Sequence, residues 1–344
     1  MIPSRKSVPT RYFSPLLGML AAQGVDTAGL LALAKIDAGR MERSDGMLSP
    51  PEVEALVIAT NRLTGRTDLA FETARSIKLN SHDMLGYALL SCRDLDQMLR
   101  LASRYYHLIN ELFAMQYTRK AGAGQVVFTP VVAMPVQAMR FVMELIAVSV
   151  HNQLEMVLGA GVPYEACMGM PAPAHHARYT TLIPARFRFD DSALPGIAMA
   201  FDAALLDRPL PMAEPKVVEQ IEERLQSLQR RPVPDRGWGD YVVMLLREAQ
   251  GQQVTLEDIA QRMNISARTV DRNLKKEHLN FRDLSQQVRL ERARELLLQR
   301  GATVSRVAEQ LGFSDAANFS RAFRRQMGVS PGAFQQQALS ARNA

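Results

Sequence analysis

Two helix-turn-helix patterns stand in series near the C-terminal end of this 344-residue chain, each on a basic stretch. The first reads TLEDIAQRMNISARTVDRNLKKE, over residues 255–277. The second reads TVSRVAEQLGFSDAANFSRAFRRQMGVSP from Thr303 to Pro331, with the motif proper over 303–327. Ile259, Ala260, Met263, Ile265 and Ser266 recur 48 positions later as Val307, Ala308, Leu311, Phe313 and Ser314. Beyond the turn the offset is 49, matching Val270 with Phe319, Arg272 with Arg321, and Lys275-Lys276 with Arg324-Arg325. One residue has entered the second turn, yet the apolar frame and basic face survive. A lone amphipathic pair with a turn is a common structural unit; two basic copies in tandem are not.

The spacing carries a physical meaning. Ile259-Ala260 with Met263, and Val307-Ala308 with Leu311, give the 3/4 spacing of a short helix buried on one side. The small alanine lets a second helix cross closely. Ser266 and Ser314 read as N-caps of that second helix, whose free N–H groups and positive dipole end suit phosphate oxygens. Val270 and Leu274 face inward in the first copy, leaving Arg268, Asp271, Arg272 and Lys275 outward. In the second, Phe319, Ala322 and Phe323 face inward, leaving Asn318, Arg321, Arg324 and Arg325 outward. Arg268 and Arg272 are predicted to read base edges, because arginine pairs bidentately with guanine, and Asp271 can accept from cytosine. Lys275, Lys276, Arg324 and Arg325 are phosphate candidates, with Ser266, Thr269, Ser314 and Asn318 at the helix starts.

Charge supports a polyanion partner. From Trp238 to Ala344 there are 16 Lys and Arg against 11 Asp and Glu, so +5 of the net +6 lies in the last third. Cys92 and Cys167 are far apart and offer neither a disulfide framework nor a metal cluster. The start briefly mimics a signal peptide, but its apolar run is short. The most apolar stretch, around 138–150, holds Arg140 and Glu144. A soluble protein of a reducing bacterial cytoplasm, without membrane attachment, is therefore expected.

With these residues in view, the region from about Trp238 to Gln335 resembles the DNA-binding domain of the AraC/XylS family of bacterial transcription regulators. The run GFSDAANFSRAFRR…GVSP is specific to that family, and IAQRMNIS-ARTVDRNLKKE with the long helix FRDLSQQVRLERARELL between the copies supports it. The chain has Gln326 where an aromatic often follows the basic residue, and Gln335 where a basic residue is common, which removes one phosphate contact. The resemblance places base-reading positions of the second helix at Ala316, Ala317, Ser320 and Arg321. Two alanines there offer only methyl contact with thymine, so that helix is expected to grip more than it reads. It also implies two recognition helices in major grooves about one turn, or ~34 Å, apart, with promoter or operator DNA and RNA polymerase as partners and activation as the commoner sign.

Residues 1–212 read as an α+β domain. Ser49-Pro50-Pro51-Glu52 opens a helix with a capping box. Arg93 to Phe113 shows a helix face, after which Phe113, Met115 and Tyr117 alternate as a strand, residues 121–124 turn the chain, and Val126-Val127-Phe128 return. A long helix follows Pro135 to about Leu158, then short extended pieces near 164–170, 186–189 and 196–201. The many regular strands of a cupin barrel are absent. MLGYALLSCRDLDQMLRLASRYYHL and RFRFDDSALPGIAMAFDAALLDRPLP instead resemble the helix-rich, arabinose-binding-like N-terminal domains of other AraC-type regulators. That resemblance implies a small-molecule effector without fixing arabinose as its identity.

Tyr105, Tyr106 and His107 combine apolar bulk with polar tips and can line an effector pocket, or serve as plain core or surface. Residues 213–237 hold an amphipathic helix, with Val217, Val218, Ile221, Leu225 and Leu228 on one stripe, and a Pro-rich linker over 231–237. The stripe suits either homodimerisation or docking on its own domain. His175-His176 lack metal-pair spacing, and no nucleophile elbow or phosphate loop occurs, so no catalytic residue, metal or cofactor is assigned. The expected fold is an α+β effector domain followed by an all-α domain (238–344), with two helix-turn-helix motifs joined by a long helix. Two rival readings stay open: regulation without a ligand, or a catalytic N-terminal domain fused to a DNA-binding module.

Overall fold

A five-stranded sheet organises the first of two compact units, Met1–Asp235, and the second, Arg236–Ala344, has helices as the only regular elements among its described residues. The structure is a computed structural model and describes residues 6–120, 122–226, 237–248, 254–263, 265–299 and 302–336. The linker over 231–236 lies outside the described residues, as does Leu228.

Hydrophobic alternation sets the sheet. Phe113–Lys120 pairs antiparallel with Ala123–Pro130, which pairs with Ile197–Asp202, then Glu165–Met168, and finally Arg186–Phe189 in parallel. Phe113, Met115, Val126, Phe128, Met199 and Phe201 bury one face, as a period of two requires. The three short extended pieces expected after the long helix are all strands of this sheet. A two-residue pairing of Val8–Pro9 with Met47–Leu48 is too short to leave any periodicity. At the hairpin Gly122 takes φ +88°, where a β-carbon would be strained.

Helices cover this core. Val136–Leu158 buries 16 of its 23 residues and packs against Pro50–Thr64 and Leu69–Ala74. Its length and composition alone would let it cross a membrane, but 78% of its most apolar window is buried inside the unit, as befits a core helix. Pro50–Thr64 begins with the predicted capping box: Glu52 Oε2 accepts from the Ser49 amide at 2.9 Å. The helix read from Arg93 onward stops at Tyr105, gives a 3-10 turn over Tyr106–Leu108, and yields to the strand at Phe113.

The amphipathic segment forms a helix over Pro215–Gln226 that buries Val218 and Leu225 against Asp83–Leu90, with Arg104 paired to Glu222. Its stripe is thus at least partly spent on its own unit.

In the second unit, Trp238–Glu248 precedes the pair Leu256–Met263 and Ala267–Lys276. The long helix Phe281–Leu297 then spans about 25 Å before the pair Val304–Gln310 and Ala316–Met327. Ile259, Ala260, Met263, Val270 and Leu274 are buried in the first motif. Val307, Ala308, Leu311, Phe319 and Phe323 are buried in the second, against Ala293, Leu296 and Leu297 of the long helix. The repeated apolar frame is therefore the frame of two cores.

Candidate nucleic-acid interface and effector cavity

The first recognition helix is built to present arginine. Ser266 Oγ accepts from the Thr269 amide at 3.2 Å and lies 2.9 Å from Thr269 Oγ1, so a neutral hydroxyl caps the helix. With Val270 and Leu274 buried, Arg268 and Arg272 stand exposed one turn apart, and Lys275 and Lys276 follow in the last turn. Asp271 Oδ2 accepts from Lys275 Nζ at 2.7 Å, an exposed i,i+4 pair of small energetic weight. Asn273, buried at 5% exposure, donates to the Thr269 carbonyl and was not anticipated. At the helix end Glu277 turns back, accepting from the Trp238 and Gly239 amides at 2.7 and 2.9 Å and so capping the helix that opens the unit.

The second recognition helix starts differently. Its N-cap is Asp315, whose Oδ1 accepts from the Asn318 amide at 2.6 Å; Ser314 stands one residue earlier. The expectation of a serine cap is corrected by the inserted residue itself: 49 positions beyond Ser266 stands Asp315. The Asn318 amide holds the Asp315 carboxyl below the usual carboxylate range. Asn318 Nδ2 donates to Ser314 Oγ and Asp315 Oδ2, both at 2.7 Å, and Asn318 Oδ1 accepts from Arg321. Four polar residues at this helix start thus satisfy one another around a negative charge. Ala317 is exposed, Ala316 and Ser320 are half-buried, and Arg324 and Arg325 are exposed further along; Ala322 is only partly buried.

A cavity of about 80 Å³ lies in the first unit between the sheet and its helices. Met115, Val126 and Phe201 come from the sheet, Leu145 and Gln153 from the core helix, and Tyr12 from the N-terminal segment. Its polar cluster is a chain: Tyr12 Oη lies 2.9 Å from His82 Nδ1, and Gln153 Nε2 lies 2.9 Å from His82 Nε2. If Gln153 donates, His82 is neutral with its proton on Nδ1, donating to Tyr12. Burial lowers the His82 pKa from near 6.5 to about 4 and lifts Tyr12 to about 12. Of the three residues singled out for an effector, Tyr106 lines the cavity. Tyr105 is fully buried behind it, and His107 sits half-buried in the 3-10 turn. His82 and Gln153 also line the cavity and are not among the residues expected there, although a glutamine on an otherwise apolar buried helix is a readable signal.

His175 Nε2 lies 2.6 Å from the buried Glu144 carboxylate, so the histidine ties its loop to the core helix. Among the described residues, no group of three or more His, Cys, Asp or Glu is placed to hold a metal.

A basic unit with tandem helix-turn-helix motifs, preceded by an α+β unit with an internal cavity, defines a ligand-type transcription regulator. Residues 24–210 match the N-terminal arabinose-binding domain of AraC transcription regulators, and 259–337 match a helix-turn-helix domain. The chain belongs to the AraC family of DNA-binding transcription regulators. It is similar to the ornithine utilization regulator of Pseudomonas aeruginosa, 25% identical over 326 residues, covering 94% of this chain and 95% of the relative. It is also similar to the HTH-type transcriptional regulator VqsM of the same organism, 26% identical over 265 residues, covering 73% and 78%. The crystal structure of the P. aeruginosa transcriptional regulator CdpR aligns over 95% of this chain and 98% of that one, with a TM-score of 0.42 and 20% identity.

Proposed function

We propose that this regulator activates transcription in response to a small molecule held by its N-terminal unit, reading DNA mainly through its first recognition helix. The observation that carries the reading is the Ser266-capped helix, which exposes Arg268 and Arg272 one turn apart over a buried Val270–Leu274 face. Arg268, Asp271 and Arg272 contact base edges, Asp271 exchanging Lys275 for cytosine. Ser266, Thr269, Lys275 and Lys276 hold the backbone. In the second helix Ala316, Ala317, Ser320 and Arg321 face the bases, while Ser314, Asn318, Arg324 and Arg325 face the backbone. The carboxylate cap at Asp315 weakens the hold of Ser314 and Asn318 on phosphate, so the basic last turn carries most of this helix's grip on the backbone. A cytoplasmic homodimer that engages RNA polymerase completes the reading, whose support is the family to which the chain belongs.

The test compares two substitutions by fluorescence anisotropy on a selected operator and on random duplex. Arg268→Ala is expected to cost about 1–3 kcal/mol on the operator and to relax base preference at one position. Equal loss on both duplexes would reduce Arg268 to a phosphate contact. Lys276→Ala is expected to weaken binding to every sequence and to flatten the salt slope by roughly one unit. An unchanged slope takes Lys276 out of the interface.

A further inference from the structure

The walls of the N-terminal cavity define a ligand by what they lack. None of its 25 lining residues is Asp, Glu, Lys or Arg. Arg11, beside Tyr12 in sequence and acting on the Tyr12 hydroxyl and the His82 ring, does not line the cavity and has its charge met by Asp83 at 2.6 Å. A carboxylate or ammonium entering this space would lose its water without gaining a counter-charge, the costliest form of burial.

Hydrogen-bonding groups are few as well. Ser149 donates to the Ile146 carbonyl, and Asn110 Oδ1 accepts from the Leu112 amide. Both ring nitrogens of His82 are engaged, one by Tyr12 and one by Gln153. What remains is the other half of the Gln153 amide, the Asn110 Nδ2 and the hydroxyls of Tyr12 and Tyr106, a few polar groups on a wall that is otherwise apolar. A sugar carries a hydroxyl on nearly every carbon and would set several of them against apolar wall. The rest of the wall is aliphatic and aromatic, and three of its side chains, Met98, Met115 and Met199, are unbranched and can re-rotate around a guest.

We infer that the effector is an uncharged, largely apolar small molecule, seated among the cavity's aliphatic and aromatic side chains, with its hydrogen-bonding head group against Gln153 and Tyr12. This rests on reading the N-terminal unit as the effector domain. A volume near 80 Å³ sets the scale at a short alkyl chain or one ring, with larger guests admitted as the methionines move. The domain's sugar-derived family description and a relative's association with ornithine utilization both name polar or charged compounds. This cavity is matched to neither.

The test uses the full chain without DNA. Isothermal calorimetry and thermal shift at pH 7 compare 1-hexanol, hexanoate, hexylammonium, L-arabinose and L-ornithine. We expect saturable binding of 1-hexanol at least tenfold tighter than of the other four. Filling the space by Ala102→Leu should weaken hexanol binding at least tenfold, and Gln153→Leu should weaken it several-fold. If Ala102→Leu loses its far-UV circular dichroism signal, Leu99→Phe takes its place. Comparable binding of any charged probe or of arabinose overturns the inference. So does hexanol binding that is absent, or unchanged in the filled variant. Anisotropy of the same samples on duplex DNA reports separately on the DNA-binding reading.

Discussion

Phe319→Ala is expected to destabilise the second helix-turn-helix by about 3–5 kcal/mol, the range for emptying an aromatic from a packed core. Phe319 is 2% exposed and stands at the centre of a ring cluster, 5.3 Å from Phe313 and 5.7 Å from Phe323, which itself meets Phe334 at 5.7 Å. Hydrogen exchange over residues 302–336, read beside urea denaturation, should show this motif opening while the first keeps its protection. A loss below about 1 kcal/mol would mean that the motif is held by something other than this core. Ala317→Ser, on the exposed face of the same helix, is the matched control and should be near neutral in stability.

Acid is expected to unfold the N-terminal unit through His82. In the unfolded chain this histidine takes up its proton near pH 6.5; in the fold burial delays uptake to about 4. Between those values the unfolded chain binds the extra proton, so lowering the pH favours unfolding. The contribution of neutral His82 is whole above pH 6.5 and falls by up to about 3 kcal/mol on approaching pH 4. The Gln153 amide and Asp83 oppose the effect, while Arg11 adds to it. Burial lowers the pKa of His151 too, with Glu155 opposing, so a residual slope of the same sign remains after His82 is replaced. His82→Gln should therefore flatten, without abolishing, the fall in urea midpoint between pH 6.5 and 4. An identical pH profile in the variant would show that His82 titrates normally.

Elements whose signals are local were legible in the sequence. The capping box at Ser49 and Glu52, the Phe113–Phe128 hairpin and the Ile259/Val307 frames each fit within one or two turns or one strand pair. The cap falls on Asp315 and not on Ser314 because the added residue shifts the cap position along with the apolar residues that follow it. The polar cluster was not legible because its members, Tyr12, His82 and Gln153, lie some 70 residues apart and meet only through the fold. Tyr106 was found by its chemistry. Tyr105 shares that chemistry but is fully buried away from the cavity, with its hydroxyl unpartnered among the described residues.

Glu277 gives the protein an internal reporter. Its carboxylate joins the last turn of the first recognition helix to the first turn of the Trp238 helix, making one joint of two segments nearly 40 residues apart. Amides at a helix start have no carbonyl partner in their own helix and ordinarily exchange quickly with water. Those of Trp238 and Gly239 do so when Glu277 at the end of the Ala267–Lys276 helix lets go. Their exchange rates thus time how often that joint opens, and they do so before any DNA is added.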